Sequence, residues 1–197
     1  MSFIEGFITF ELSINNSVRE EYTNLKLRIA KHPLESIQNI CARIICFTHA
    51  YKAGLKFSEF PNSQESPTMI NLDASNAVIQ WIHVGKLNES TLRQAVKHYP
   101  DAEVECYFTQ NGNIDHFCHQ LRGSKSNWVD GVVFWKMDLK LITKVSEIIE
   151  ARNKWTLSIV EDQVYINTGS THFTGSAKGI NIWDEYQEHL NTTTLEI

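Results

Sequence analysis

The chain has 197 residues, 42% of them hydrophobic, 11% aromatic and 21% charged; 18 basic and 23 acidic side chains leave a formal charge of −5. This composition supplies the core of one domain and excludes extensive disorder, while nine glycines and four prolines exclude a collagen-like or low-complexity chain. The mild acidity also excludes coating of nucleic acid by bulk charge, leaving only a local basic surface for that purpose.

The opening residues carry Glu5 and Glu11 within their apolar stretch and lack a basic flank, which is unlike a secretory leader. The most apolar segment, residues 37–51, is interrupted by Gln38, Asn39, Arg43 and His49 and reads as a buried helix, not a membrane span. A cytoplasmic protein without a membrane partner is expected. Cys41, Cys46, Cys106 and Cys118 form no CxxC pair and are expected to be reduced core thiols.

Residues 3–14 place Ile4, Ile8, Phe10, Leu12 and Ile14 at alternate positions, which predicts a strand, with a turn at residues 15–17. Leu25, Leu27 and Ile29 then alternate with Lys26 and Arg28, predicting a second strand with a wet basic face, paired with the first as an antiparallel hairpin. Pro33 is suited to open a helix, with Glu35 near the position that reaches back to a capping amide and Gly54 as the C-cap beyond residue 53. After a polar loop at 58–66 come a short strand at 68–72, a turn at 73–76 and a strong strand at 77–84 closed by Gly85. Asn88 is expected to cap a helix over 89–98, with Leu92 and Val96 inward.

The second half continues with a strand at 103–109, a helix at 114–121, a strand at 128–136, a helix at 139–152 and a hairpin at 155–168. Beyond Gly169 only Ile180, Ile182 and Trp183 offer a clear apolar anchor, so that stretch is expected to lie over the domain. The fold class is therefore α/β (α+β), a mixed β-sheet with flanking helices, in one domain over 1–190 and a frayed tail at 191–197.

Two motifs carry a resemblance. Lys31-His32-Pro33-Leu34-Glu35 opens a helix, and a later strand pair ends in Trp81-Ile82-His83-Val84-Gly85 before an N-capped helix. At this spacing the chain resembles the YaeQ family of small bacterial proteins over nearly its whole length, most densely at 25–109. The resemblance implies a variant of the PD-(D/E)XK restriction-endonuclease-like fold with an added N-terminal hairpin. In that fold carboxylates hold a magnesium ion that activates water and stabilises charge at a phosphate. It implies acids at three places, and only Glu35 is one. Thr68 stands in the strand that in the family carries an acid after its proline, His83 replaces the acid of the W-I-acid-x-G strand end, and a neighbouring position that is often acidic is Ile79.

One glutamate cannot supply an oxygen-rich cage, and neutral imidazole is a poor magnesium ligand. The expectation is a degenerate site at Glu35, Thr68 and His83, no required cofactor and a binding or scaffolding role. The alternative is a divergent nuclease using magnesium or manganese, in which Glu35 is joined by migrated acids such as Asp73, Glu65 or Glu59. A third reading is nucleic-acid binding through a local basic face formed by Lys26, Arg28 and Lys31. Each residue also has a structural reading: Glu35 as a helix-start carboxylate, Thr68 as a strand former, His83 as a satisfied polar residue near a sheet end.

His116, Cys118 and His119, with Cys106 or His98, lack metal-site spacing; a helix burying Phe117 and Leu121 is expected instead. Trp128, Val132, Val133 and Phe134 are expected as core strand residues rather than a base-stacking surface. No Gly-rich phosphate loop, nucleophile elbow or dinucleotide fingerprint is present.

Overall fold

In strand β1 (Phe7–Asn16), Ile8, Phe10, Leu12, Ile14 and Asn16 share one face and are buried, while Phe7, Glu11 and Asn15 face solvent. The computed structural model describes residues 6–33, 35–59, 63–121 and 127–195, so the expected strand residue Ile4 lies outside the described residues. The turn expected at residues 15–17 falls later, at 17–20. Asn16 stays in the ladder while its Oδ1 accepts from the Val18 and Arg19 amides, both at 3.1 Å, and its Nδ2 donates to the His49 carbonyl at 2.9 Å. Its side chain thus shapes the turn without its backbone leaving the strand. β2 (Glu21–Ala30) pairs antiparallel with β1 from Phe7↔Ala30 to Asn16↔Glu21, the predicted hairpin.

The chain forms two compact units, Met1–Lys52 with Asp138–Ala177 and Ala53–Met137 with Lys178–Ile197. In the first, helix α1 (Ile37–Ala50) begins later than Pro33 suggested. Ser36 is the N-cap, its hydroxyl accepting from the Asn39 amide at 3.1 Å, so Pro33 and Glu35 precede the helix. A serine oxygen aimed at an unpaired amide decides the start. At the other end Tyr51 leaves helical geometry, and Gly54 lies beyond the helix at φ +95°.

Helix α4 (Leu139–Ser146) is capped by Asp138, whose Oδ1 accepts from Lys140 and Leu141. It stops well before residue 152, because Arg152 opens β8 (Arg152–Val160). Asn153 ties down the connecting turn, accepting from the Glu150 amide at 3.0 Å and donating to the Glu150 carbonyl at 2.6 Å. Asn153, Trp155, Leu157 and Ile159 are buried at alternate positions, the period of a strand. β8 runs parallel to β1, and Phe10 meets Trp155 edge-on at 5.0 Å between ring centroids. β8 turns at Glu161 into β9 (Gln163–Asn167), as predicted.

The polar stretch expected to lie over the domain forms a ladder strand there, β10 (His172–Ile180), antiparallel to β9. Small residues are required here, since a Cβ on Gly175 would lie 2.6 Å from Leu141 Cβ. The strand order in this unit is β2-β1-β8-β9-β10.

The second unit orders its strands β7-β6-β5-β4-β3: β3 (Lys56–Phe57), β4 (Met69–Leu72), β5 (Val78–Val84), β6 (Glu103–Phe108) and β7 (Val132–Met137). The last three run parallel and the first two antiparallel, so each unit carries a mixed sheet. Helices α2 (Glu89–His98), α3 (Asn111–Gln120) and α5 (Ile182–Leu195) complete the unit. Asn88 precedes α2 as expected but makes no side-chain cap bond. Trp128 lies in a 3-10 turn (Asn127–Gly131) instead of a strand and packs on the core from there, and Val133 faces solvent.

Phe108, Phe117 and Phe134 form the centre of this core, with ring centroids 5.6 to 5.9 Å apart, joined by Leu92, Leu121 and Ile182. Ile180 and Trp183 pack against it as anticipated. The four cysteines are buried and form no disulfide; burial pushes Cys41 up to about 12 and Cys118 up to about 11. Among the described residues no helix is long and apolar enough to cross a membrane.

Candidate functional site

Glu35 lies in the turn ahead of α1, where its amide donates to the His32 carbonyl at 2.9 Å. Its carboxylate does not cap the helix. Arg43, further along α1, reaches it with Nη2 at 2.6 Å from Oε1, and the two side chains are only 2% and 4% exposed. Burial lowers the Arg43 pKa, and the adjacent carboxylate opposes that shift through its charge and hydrogen bond. Guanidinium stays charged in proteins, so Glu35 is balanced by a fixed cation. Glu35 Oε2 has no hydrogen-bond partner among the described residues.

Thr68 and His83 lie together in the other unit. The Thr68 amide donates to the Ile82 carbonyl at 2.8 Å, and the Thr68 hydroxyl accepts from the Val84 amide at 3.0 Å. The Thr68 hydroxyl is thereby engaged with the next strand's backbone. His83 is buried, with Nδ1 3.3 Å from the Ser66 carbonyl oxygen and Nε2 3.0 Å from that of Lys86. Burial lowers its pKa, outweighing the two carbonyls, which favour the protonated ring. Neither ring nitrogen points its lone pair into open space.

The acids of the alternative reading are also in this unit. Asp73 organises its own turn, with Oδ1 accepting from the Ser75 amide, the Ser75 hydroxyl and the Ala77 amide at 2.7 to 2.9 Å, and these bonds lower its pKa. Glu65 and Glu59 are exposed. Of the other cluster, His116 contacts the Gln120 side chain at 2.7 Å and His98 contacts the Gln94 carbonyl oxygen at 2.8 Å, while Phe117 and Leu121 are buried. No group of three or more His, Cys, Asp or Glu among the described residues is placed to hold a metal.

Sequence reasoning missed Arg43 as the partner of Glu35 and missed Glu105, a fully buried carboxylate on β6. Glu105 Oε2 accepts from the Tyr107 hydroxyl at 2.9 Å and the Trp135 indole at 2.8 Å, and the Tyr107 and Trp135 rings stack. On the same face Asn71 donates to Gln80 at 3.0 Å, and Gln80 donates to Glu103 at 3.3 Å, a polar row across β4, β5 and β6. The alternation of Glu103, Glu105 and Tyr107 was the available signal.

Of the basic trio, Lys26 and Arg28 are exposed on β2, whereas Lys31 falls after the strand. The register instead sets β8's Arg152 and Lys154 beside them: Thr9 pairs with both Arg28 and Arg152, and Glu11 with both Lys26 and Lys154. These residues line an open groove of about 680 Å³ together with Phe7, Ala151 and Asn153.

The family model for the YaeQ protein matches residues 1–176. The crystal structure of the YaeQ protein from Xanthomonas axonopodis pv. citri is similar with a TM-score of 0.78 and 17% identity, covering 89% of this chain and 98% of that one. That of the YaeQ protein from Pseudomonas syringae is similar with a TM-score of 0.74 and 17% identity, covering 90% and 96%. No curated protein matches the chain. With its model matched over most of the sequence and the same fold in two solved members, the chain belongs to the YaeQ family.

Proposed function

We propose that this YaeQ-family protein is a non-catalytic binding protein, built on a PD-(D/E)XK nuclease-like fold whose acidic site is degenerate at Glu35, Thr68 and His83. The observation that carries the reading is the buried pair between Glu35 and Arg43 at 2.6 Å. A divalent cation at Glu35 would have to share that carboxylate with a guanidinium, whose positive charge opposes it at short range. The Thr68 hydroxyl and the His83 ring nitrogens already face backbone groups, and imidazole suits softer ions than magnesium. The reading requires no cofactor; magnesium or manganese belongs to the alternative that recruits Asp73 or Glu65.

The test is incubation of labelled single-stranded DNA, duplex DNA and RNA with the natural protein and with Glu35→Gln, in magnesium or manganese. Neither protein is expected to release product above the buffer control. Metal-dependent product that Glu35→Gln abolishes would overturn the proposal, and a further loss in Asp73→Asn or Glu65→Gln would identify the recruited acid.

A further inference from the structure

We infer that the solvent-facing side of the β2-β1-β8 sheet binds the phosphodiester backbone of single-stranded nucleic acid through Lys26, Arg28, Arg152 and Lys154; this names a partner for the binding role proposed above and rests on that reading. In an acidic chain, four cations here surround one carboxylate, Glu11. Alternate residues on a strand are about 6.8 Å apart and neighbouring strands about 4.8 Å, so the four charges form a patch of roughly 7 by 10 Å. Lys26 is 3.2 Å from Glu11, and Arg28 lies 3.9 Å over the exposed Phe7 ring. Among the described residues, no acidic side chain pairs with Arg152 or Lys154.

A bland explanation covers half of this. Lysine and arginine on an edge strand discourage edge-to-edge aggregation, and β2 is the outermost strand of its unit's sheet. β8 lies between β1 and β9, so Arg152 and Lys154 guard no edge. Their register opposite Arg28 and Lys26 builds a charged surface from two segments far apart in sequence.

Further along the same face, Asn24, Ser13, Thr156 and Asn167 form one polar row, and Tyr22, Asn15, Ser158 and Tyr165 the next. Tyr22 is 67% and Tyr165 44% exposed, so both rings are open to solvent on this face. Cations that meet phosphates, short polar side chains and exposed rings for unstacked bases together match a single strand better than a duplex, whose bases are hidden.

The test is fluorescence anisotropy with a labelled single-stranded oligonucleotide of about 20 nucleotides, as DNA and as RNA, against the full chain over a salt series. Four neutralised phosphates predict a slope of log K against log salt of about −2.8, and Lys26→Gln/Arg28→Gln or Arg152→Gln/Lys154→Gln should each bring it to about −1.4 and weaken binding at least tenfold. Tyr22→Ala should weaken binding about fivefold or more with the slope unchanged. Arg93→Gln/Lys97→Gln, the same charge change on exposed residues of α2, should change nothing.

Absence of binding at low salt, or face variants that bind like the natural protein, overturns the inference. A dimer that dissociates in Arg152→Gln/Lys154→Gln without any oligonucleotide binding also overturns it and assigns the face to a second copy. The same samples are run on a gel. Bound but cut oligonucleotide refutes the non-catalytic reading and leaves the surface standing, whereas intact and unbound oligonucleotide refutes the surface alone.

Discussion

The Glu35–Arg43 pair is open to a direct energetic test. Both side chains are almost fully buried and 2.6 Å apart, so removing one leaves the other charge in a poorly solvated site. Breaking such a pair costs about 3–5 kcal/mol, whereas removing both charges together is close to neutral when the volume is kept. Glu35→Gln retains an amide that can accept from Arg43 and should fall at the lower end, about 3 kcal/mol. Arg43→Met strands a carboxylate that already has one unbonded oxygen and should cost about 4–5 kcal/mol.

The double variant Glu35→Gln/Arg43→Met leaves no unpaired charge and should lose less than either single variant and far less than their sum. Urea unfolding of the four proteins, read as midpoint and slope, gives the coupling, and the cycle separates the pair from Arg43's other contacts. A coupling below about 1 kcal/mol would refute the claim that Glu35 is held by this guanidinium, and with it the main support for a neutralised site.

His49, buried and depressed to about 3 by desolvation and by the charge of Arg19, makes the fold acid-sensitive. Because its folded value lies below its unfolded one near 6.5, stability is complete above about pH 6.5 and falls by roughly 1.4 kcal/mol per unit of pH below it. His83 acts with the same sign, and His49→Gln should flatten the slope measured by urea unfolding between about pH 6.5 and 4.5. Gly175→Ala places a methyl 2.6 Å from Leu141 Cβ and should cost about 1–3 kcal/mol; an unchanged melting temperature would show that α4 moves away freely. Phe134→Ala removes the ring shared by Phe108 and Phe117 and should cost about 3–5 kcal/mol by urea unfolding.

Elements with strong periodicity were readable before the structure. The bounds of α2, the alternation of β1 and β2, their antiparallel pairing and the strand closed by Gly85 all follow from residue spacing, because burial of one face imposes that spacing. Failures occurred where another force overrode local preference. Asn16 reads as a turn residue yet stays in a strand, since its side chain alone does the turning. Trp128 reads as a strand residue yet enters the core from a 3-10 turn, because burying an indole does not require a ladder. β10 offers no apolar stripe to read, and where it passes close to Leu141 it carries Gly175, whose added Cβ would lie 2.6 Å from Leu141 Cβ.

The candidate site divides in the same way. That Thr68 and His83 are not acids is a fact of residue identity visible in the bare sequence, as is the family resemblance through the spacing of two short motifs. What the remaining groups do was decided in three dimensions. Arg43 interrupts an apolar helix in the sequence and is the counter-ion of Glu35 in the fold, and Arg152 reads as the end of a helix yet opens β8 and forms half of a basic face with β2. Sequence periodicity reports which side of its own element a residue occupies. Charge pairing and surface patches depend on which other elements meet there, and that is settled only when strand register and packing bring distant segments within a few ångströms.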